Sequence, residues 1–185
     1  MILPIVAYGD PVLRKVGVEI TKDYPHLEKL LDDMFETMEI SKGVGLAASQ
    51  VNRAIRLFVI DSRRMYDEGE KNEGIREVFI NAKMLEETGD DWAYEEGCLS
   101  IPNIREEVYR EEKIRIQYLD RDFKKHEKTF TGLTARVIQH EYDHIEGKLF
   151  IDHLQPLKRT LLKGRLEKIS KGKVDVEYKM KFPKL

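Results

Sequence analysis

The chain has 185 residues, enough for one domain with a buried core, and its 32 lysines and arginines against 34 aspartates and glutamates leave a net charge of −2. That balance excludes a pervasive basic surface, so no direct nucleic-acid specificity is expected. No apolar run reaches the length of a membrane span, the opening MILPIVAYGDPVLRK lacks the pattern of a signal peptide, and the single cysteine, Cys98, has no internal disulfide partner; a soluble protein of the reducing cytoplasm, with no membrane partner, is expected.

In chain order, ILPIV reads as an extended arm, and Asp10 and Pro11 as the cap and first residue of a short helical turn. Leu27, Leu30, Leu31, Met34 and Met38 recur at helical spacing, which predicts an amphipathic helix over residues 26–40. The glycines of GVGLAASQ, residues 43–50, let the backbone approach a neighbour closely, and packing is the preferred reading because no basic residue supports a phosphate loop. IRLFVID (55–61) and EVFIN (77–81) are rich in β-branched and aromatic residues and read as strands, with a polar, exposed loop over residues 62–76 between them.

After the polar patch EETGDDW, the segment EEGCLSIP holds Cys98 in a tight, irregular stretch at a strand end. KIRIQYL (113–119), the turn DRDFKK and HEKTFTG form an expected antiparallel hairpin, on which His126 should be exposed. A helix over residues 133–147 follows, with Thr131 at its N-cap and Gly147 at C′, then a Lys-rich helix over 157–169 and a period-two strand over 174–182. Helices and antiparallel strands in mixed order point to a single α+β domain.

The chemistry concentrates in LTARVIQHEYDHIEG. His140 and His144 are four residues apart and share one helix face, so two nitrogens can hold one metal ion, while Glu141 is placed to touch a metal-bound water as a general base. The remaining apolar positions surround more than one face, which predicts a helix running through the core. Two histidines are too few for a stable site, and a third protein ligand is expected with a fourth position open to water. Phe150 stands where the extended metalloprotease pattern requires its third histidine, which removes that class. Glu167, Asp152 and His153 are downstream candidates; Cys98, between Gly97 and Leu99 in a constrained loop, is preferred because a nearby divalent cation deprotonates a thiol.

GVGLAASQ, EGCLS and QHEYDH, in that order, with IPNIREEVYR and GKLFIDHL, resemble the signature motifs of peptide deformylases. The resemblance implies an α+β fold in which antiparallel β-sheets pack around a central buried helix carrying the HExxH motif. It implies one catalytic domain over residues 1–185, with the helix and strand from about 156 as a variable extension. It implies that Cys98, His140 and His144 bind the metal, usually Fe2+ with Zn2+, Ni2+ or Co2+ able to replace it. Gln50 and the backbone N–H of Leu99 would stabilise the oxyanion, the backbone near Val44, Gly45 and Gly97 would pair with substrate, and Glu96 and Arg110 would support the site from behind.

The expected reaction removes the N-formyl group from the N-terminal formylmethionine of nascent peptides and releases formate. Hydroxide formed at the metal attacks the formyl carbon, with Glu141 taking the proton and returning it to the amine. Leu133 and Val137, one and two turns ahead of the histidines on the same face, are the expected lining of the methionine pocket. Contact with the ribosome is a further expectation. Two rival readings are a peptidase with Glu167 as third ligand and a non-catalytic, metal-stabilised binding module.

Overall fold

The computed structural model of the chain describes residues 1–67 and 74–184, so the central part of the expected 62–76 loop lies outside the described residues. Among the described residues the α-helices and strands follow in order: β1 (Ile5–Val6), α1 (Leu27–Ile40), β2 (Gly45–Ala47), β3 (Leu57–Asp61), β4 (Arg76–Cys98), β5 (Ile101–Leu119), β6 (Lys125–Thr131), α2 (Gly132–Ile145), α3 (Pro156–Ser170) and β7 (Met180–Lys181). Strands β2 to β6 form one antiparallel sheet in sequence order, and β1 pairs with β7 in parallel. The α+β class is as expected; the second sheet is a parallel pair, which requires a long crossover, supplied here by everything between Val6 and Met180.

Strand β3, LFVID, is buried at every position. Side chains alternate across a sheet, so Leu57 and Val59 meet Leu31, Met34 and Met38 of α1, while Phe58 and Ile60 meet Ala135, Ile138 and Ile145 of α2. A strand packed on both faces reads as a continuous apolar run, and each fully buried Leu, Ile or Phe contributes about 1.5–3 kcal/mol. A further cluster joins Ile104 and Val108 of β5 to Leu162, Leu166 and Ile169 of α3, so the C-terminal helix shares a core with the long hairpin.

The long hairpin is larger than the sequence pattern suggests. EETGDDW belongs to β4, with register shifts between Met84 and Glu86 and between Thr88 and Asp91, and Gly89 at φ +91°. Bulges interrupt the period of two and solvent reaches both faces, so composition there reports exposure and not a turn. The expected strand over residues 174–182 shortens to Met180–Lys181, yet Val174, Val176, Tyr178, Met180 and Phe182 are all half-buried beside exposed neighbours. The alternation is kept without a ladder: residues 175–178 line a cleft, and among the described residues no strand pairs with them.

Helix α2 ends as expected, with Gly147 at φ +71°, a left-handed position that favours glycine. At its start Thr131 is extended but makes no side-chain cap, and the Thr134 N–H instead donates to the Tyr66 hydroxyl at 3.0 Å.

Candidate metal centre

Ten of the fourteen residues of α2 are buried, and the helix carries His140, Glu141 and His144 into the interior against β2, β3 and β5. Cys98 closes β4, where a register irregularity between Gly97 and Cys98 turns the chain towards the helix. The Cys98 Sγ lies 3.4 Å from His144 Nε2, and the donor atoms of Cys98, His140 and His144 all lie within 4.8 Å of one another. This is the metal-ligand group found among the described residues. Phe150, in place of a third histidine, lies with its ring 6.0 Å from that of His140.

A chain of ion pairs supports the histidines. The His140 Nδ1–H donates to Glu96 Oε2 at 2.9 Å, which leaves its other nitrogen for the sulfur. Arg110 donates to both Glu96 oxygens, at 2.7 and 3.1 Å, and at 2.8 Å to Asp143 Oδ2, which also accepts from His153 Nε2 at 2.7 Å. Arg136, one turn before His140, adds a bond to Glu96 Oε1 at 3.1 Å and stacks on Trp92. Burial alone pushes the Glu96 carboxyl up; the bonds from His140 and Arg110 outweigh it and hold the group well below the usual carboxylate range.

Glu141 has no such partners. It is 4 % exposed, and its Oε2 has no hydrogen-bond partner among the described residues. Burial pushes its carboxyl up to about 7, against the pull of His140 and with a push from Glu96. Burial, with His140 adding, lowers His144 to about 3, so its imidazole is neutral and able to bind a cation. For His140, burial acts downward, but Cys98 and Glu96 raise it well above its ordinary value. Two imidazoles and a thiol converging beside an orphaned carboxylate fit a divalent ion of borderline softness.

The cleft over this group has a volume of about 670 Å3. Val44, Gly45, Gln50, Gly97, Leu99 and Val137 line it, together with Cys98, His140 and Glu141. Leu133 does not: it is half-buried at the start of α2 and is not among the lining residues, because four residues of helix carry it about 6 Å along the axis from Val137. Gln50 is buried; its Oε1 accepts from Ala47 N at 2.9 Å and its Nε2 donates to Ser100 Oγ at 3.2 Å and to Cys98 Sγ at 3.4 Å.

The other ligand candidates lie elsewhere. Glu167 is exposed and paired with Lys171, Asp152 with Arg14, and His153 with Asp143. His126 pairs with Asp120 on the hairpin. Three further residues of the site, Arg136, Asp143 and Ser100, come to light only in the fold. For Asp143 a signal existed, since it lies three residues after His140 on the same helix; Arg136 and Ser100 carry none.

A family model described as polypeptide deformylase matches residues 2–160. The chain is 55% identical over 190 residues to a peptide deformylase of Christiangramia forsetii, covering 99% of this chain and 97% of the relative, and 58% identical over 183 residues to one of Cytophaga hutchinsonii, covering 99% and 98%. Among solved structures, a peptide deformylase from Legionella pneumophila superposes with a TM-score of 0.79 at 38% identity, covering 94% of this chain and 98% of that one. One from Ehrlichia chaffeensis superposes with a TM-score of 0.83 at 32% identity, covering 94% and 99%. With its Cys/His/His group at the floor of a peptide-sized cleft, the chain belongs to the polypeptide deformylase family, metal-dependent hydrolases that remove the N-formyl group from nascent polypeptides.

Proposed function

We propose that Cys98, His140 and His144 hold one divalent ion and that Glu141 carries the proton between water and the departing amine of formylmethionine. The observation that supports this most is the Glu141 carboxylate itself, buried, without a partner at Oε2, and facing the cleft beside three converging ligand atoms. When bound, the ion supplies Lewis-acid polarisation and lowers the pKa of a water from about 15.7 towards about 7.

Glu141 in its ionised form accepts the proton that water loses and hands it to the amine as the C–N bond breaks. The Leu99 N–H donates to the formyl oxygen as charge builds there, joined by the Gln50 Nε2–H that otherwise points at Cys98 Sγ, each worth about a hundredfold or more in rate. The backbone of Val44, Gly45 and Gly97 pairs with the peptide, and Val137 forms the apolar wall for the methionine side chain. Glu96, locked by Arg110, fixes the His140 ring so that its free nitrogen faces the sulfur.

We assign Fe2+ as the ion, with Zn2+, Ni2+ and Co2+ able to take its place, since one thiolate and two imidazoles accept all four. Residues 1–185 act as one catalytic domain, a reading supported by the core that α3 shares with β5. The reaction belongs in the cytoplasm at the ribosome, where nascent chains emerge. Exposed Leu157 and Leu161 on α3, among Lys158, Arg159 and Lys163, support a contact there.

Anaerobic purification, metal analysis and a formate-release assay on formyl-Met-Ala-Ser test the reading together. One equivalent of metal with formate production is expected. Metal-loaded protein that releases no formate overturns it.

A further inference from the structure

We propose that Tyr178, from the C-terminal segment beyond the family-matched residues 2–160, is a positioning residue for the deformylation reaction, acting through Leu99. The inference rests on the proposed role of the Leu99 N–H as a donor to the formyl oxygen. Leu99 and Ser100 form the two-residue turn between β4 and β5, immediately after Cys98. A turn that short presents its N–H groups in directions set by whatever holds its carbonyls.

Both carbonyls are held from outside the hairpin. The Ser100 carbonyl accepts from Tyr8 N at 2.8 Å and the Leu99 carbonyl accepts from the Tyr178 hydroxyl at 2.7 Å. The Ser100 hydroxyl is tied to Gln50, and the Leu99 side chain lies where a Cβ on Gly43 would come within 2.9 Å of it. Of these supports, Tyr178 alone comes from the segment after residue 160, and it holds the Leu99–Ser100 peptide plane, which adjoins the Cys98–Leu99 plane that carries the proposed donor N–H.

Tyr178 is itself anchored. The Asp175 carbonyl accepts from Asn103 Nδ2 at 3.2 Å, Glu177 pairs with Lys42 at 2.8 Å, and β7 pairs with β1 two residues further on. The segment Asp175 to Tyr178 and Lys42 both line the cleft, so the C-terminal run forms part of the wall that the substrate meets. Among the described residues it has no sheet partner, yet it is pinned at both ends; that is the construction of a support and not of a free tail.

The test is Tyr178→Phe, which removes the hydroxyl and keeps the ring packed on the α1 core. Read on formyl-Met-Ala-Ser beside Gln50→Leu, it is expected to lower kcat about tenfold, with KM within twofold and metal content unchanged, because a misaimed donor weakens the transition state more than the bound substrate. Unchanged kcat in Tyr178→Phe beside a damaged Gln50→Leu overturns this inference alone. Full activity in both variants overturns the oxyanion reading beneath it. Loss of metal together with activity in Tyr178→Phe also overturns it, since that marks a structural role only.

Discussion

Gly45 and Glu141 face each other so closely that a Cβ at position 45 would stand 2.7 Å from both Cγ and Cδ of Glu141. No side-chain carbon is accommodated at that distance, so glycine at 45 is what allows the carboxylate to reach the cleft beside His140. Gly45→Ala is expected to displace Glu141 and lower kcat at least about tenfold, since misplacing a reacting group by about 1 Å can cost a hundredfold. Metal content should stay at the wild-type level. Formate release and metal analysis on the same sample check it, and wild-type turnover in the alanine variant would show that the carboxylate has room to move.

Glu141 also sets a stability cost with a definite sign. Burial raises its carboxyl from the ordinary 4.5 to about 7, with His140 opposing. The folded state therefore binds the proton more tightly than the unfolded one, and this group's contribution becomes unfavourable as pH rises from about 4.5 to about 7. At 1.36 kcal/mol per pKa unit that amounts to about 3 kcal/mol above the window. In metal-free protein, Glu141→Gln should be more stable than wild type by about 2–3 kcal/mol at pH 8 and nearly equal at pH 4.5, measured by urea unfolding. Loaded with metal, the same variant should lose about a hundredfold or more in kcat.

What the sequence displays and what it conceals divide along the range of the interactions. The His140, Glu141 and His144 spacing is legible because a helix relates positions four apart without help from the rest of the chain. The small residues of GVGLAASQ signal close approach, and Gly43 and Gly45 do sit against Leu99 and Glu141. By contrast, Arg110 is 6 % exposed and Arg136 is 2 % exposed, yet nothing local separates them from the surface arginines around them, and only the family resemblance points to Arg110; their carboxylate partners are supplied by other elements. Bulges obscure the middle of β4, and the first half of β5 alternates buried residues with exposed charged ones such as Arg105 and Glu107, which read locally as loop. Val137 and Leu133 share a helix face, but the sequence does not record where along that face the cleft ends. Tyr178 shows as one member of an alternating run, and its partner, Leu99, lies 79 positions away.

Removing the sulfur tests the ligand set directly. Cys98→Ala keeps the turn, whose carbonyls are held by Tyr8 and Tyr178, and deletes one of three converging donors. Two imidazoles alone make a weak site, so metal content after dialysis is expected to fall below about a tenth of wild type, with activity falling in proportion. Retention of a full equivalent would require a carboxylate to replace the thiolate, although Glu167 is exposed and paired with Lys171.

Arg110 carries two buried carboxylates at once, Glu96 and Asp143, and all three are almost fully excluded from solvent. Arg110→Met takes from both anions the one guanidinium they share, and breaking a buried pair in this way costs about 3–5 kcal/mol. Glu96→Gln keeps the shape of the side chain but gives His140 a weaker acceptor, so metal affinity is expected to drop about 10–100-fold with a smaller loss of stability. Because the two residues share one network, their effects should not add. The double variant ought to be more stable than the sum of the single losses by at least about 1 kcal/mol, as one of the stranded charges is gone. Urea unfolding of the four proteins, metal-free at pH 7, measures that coupling directly, and strict additivity would mean that Arg110 stabilises the fold independently of the carboxylate that orients His140.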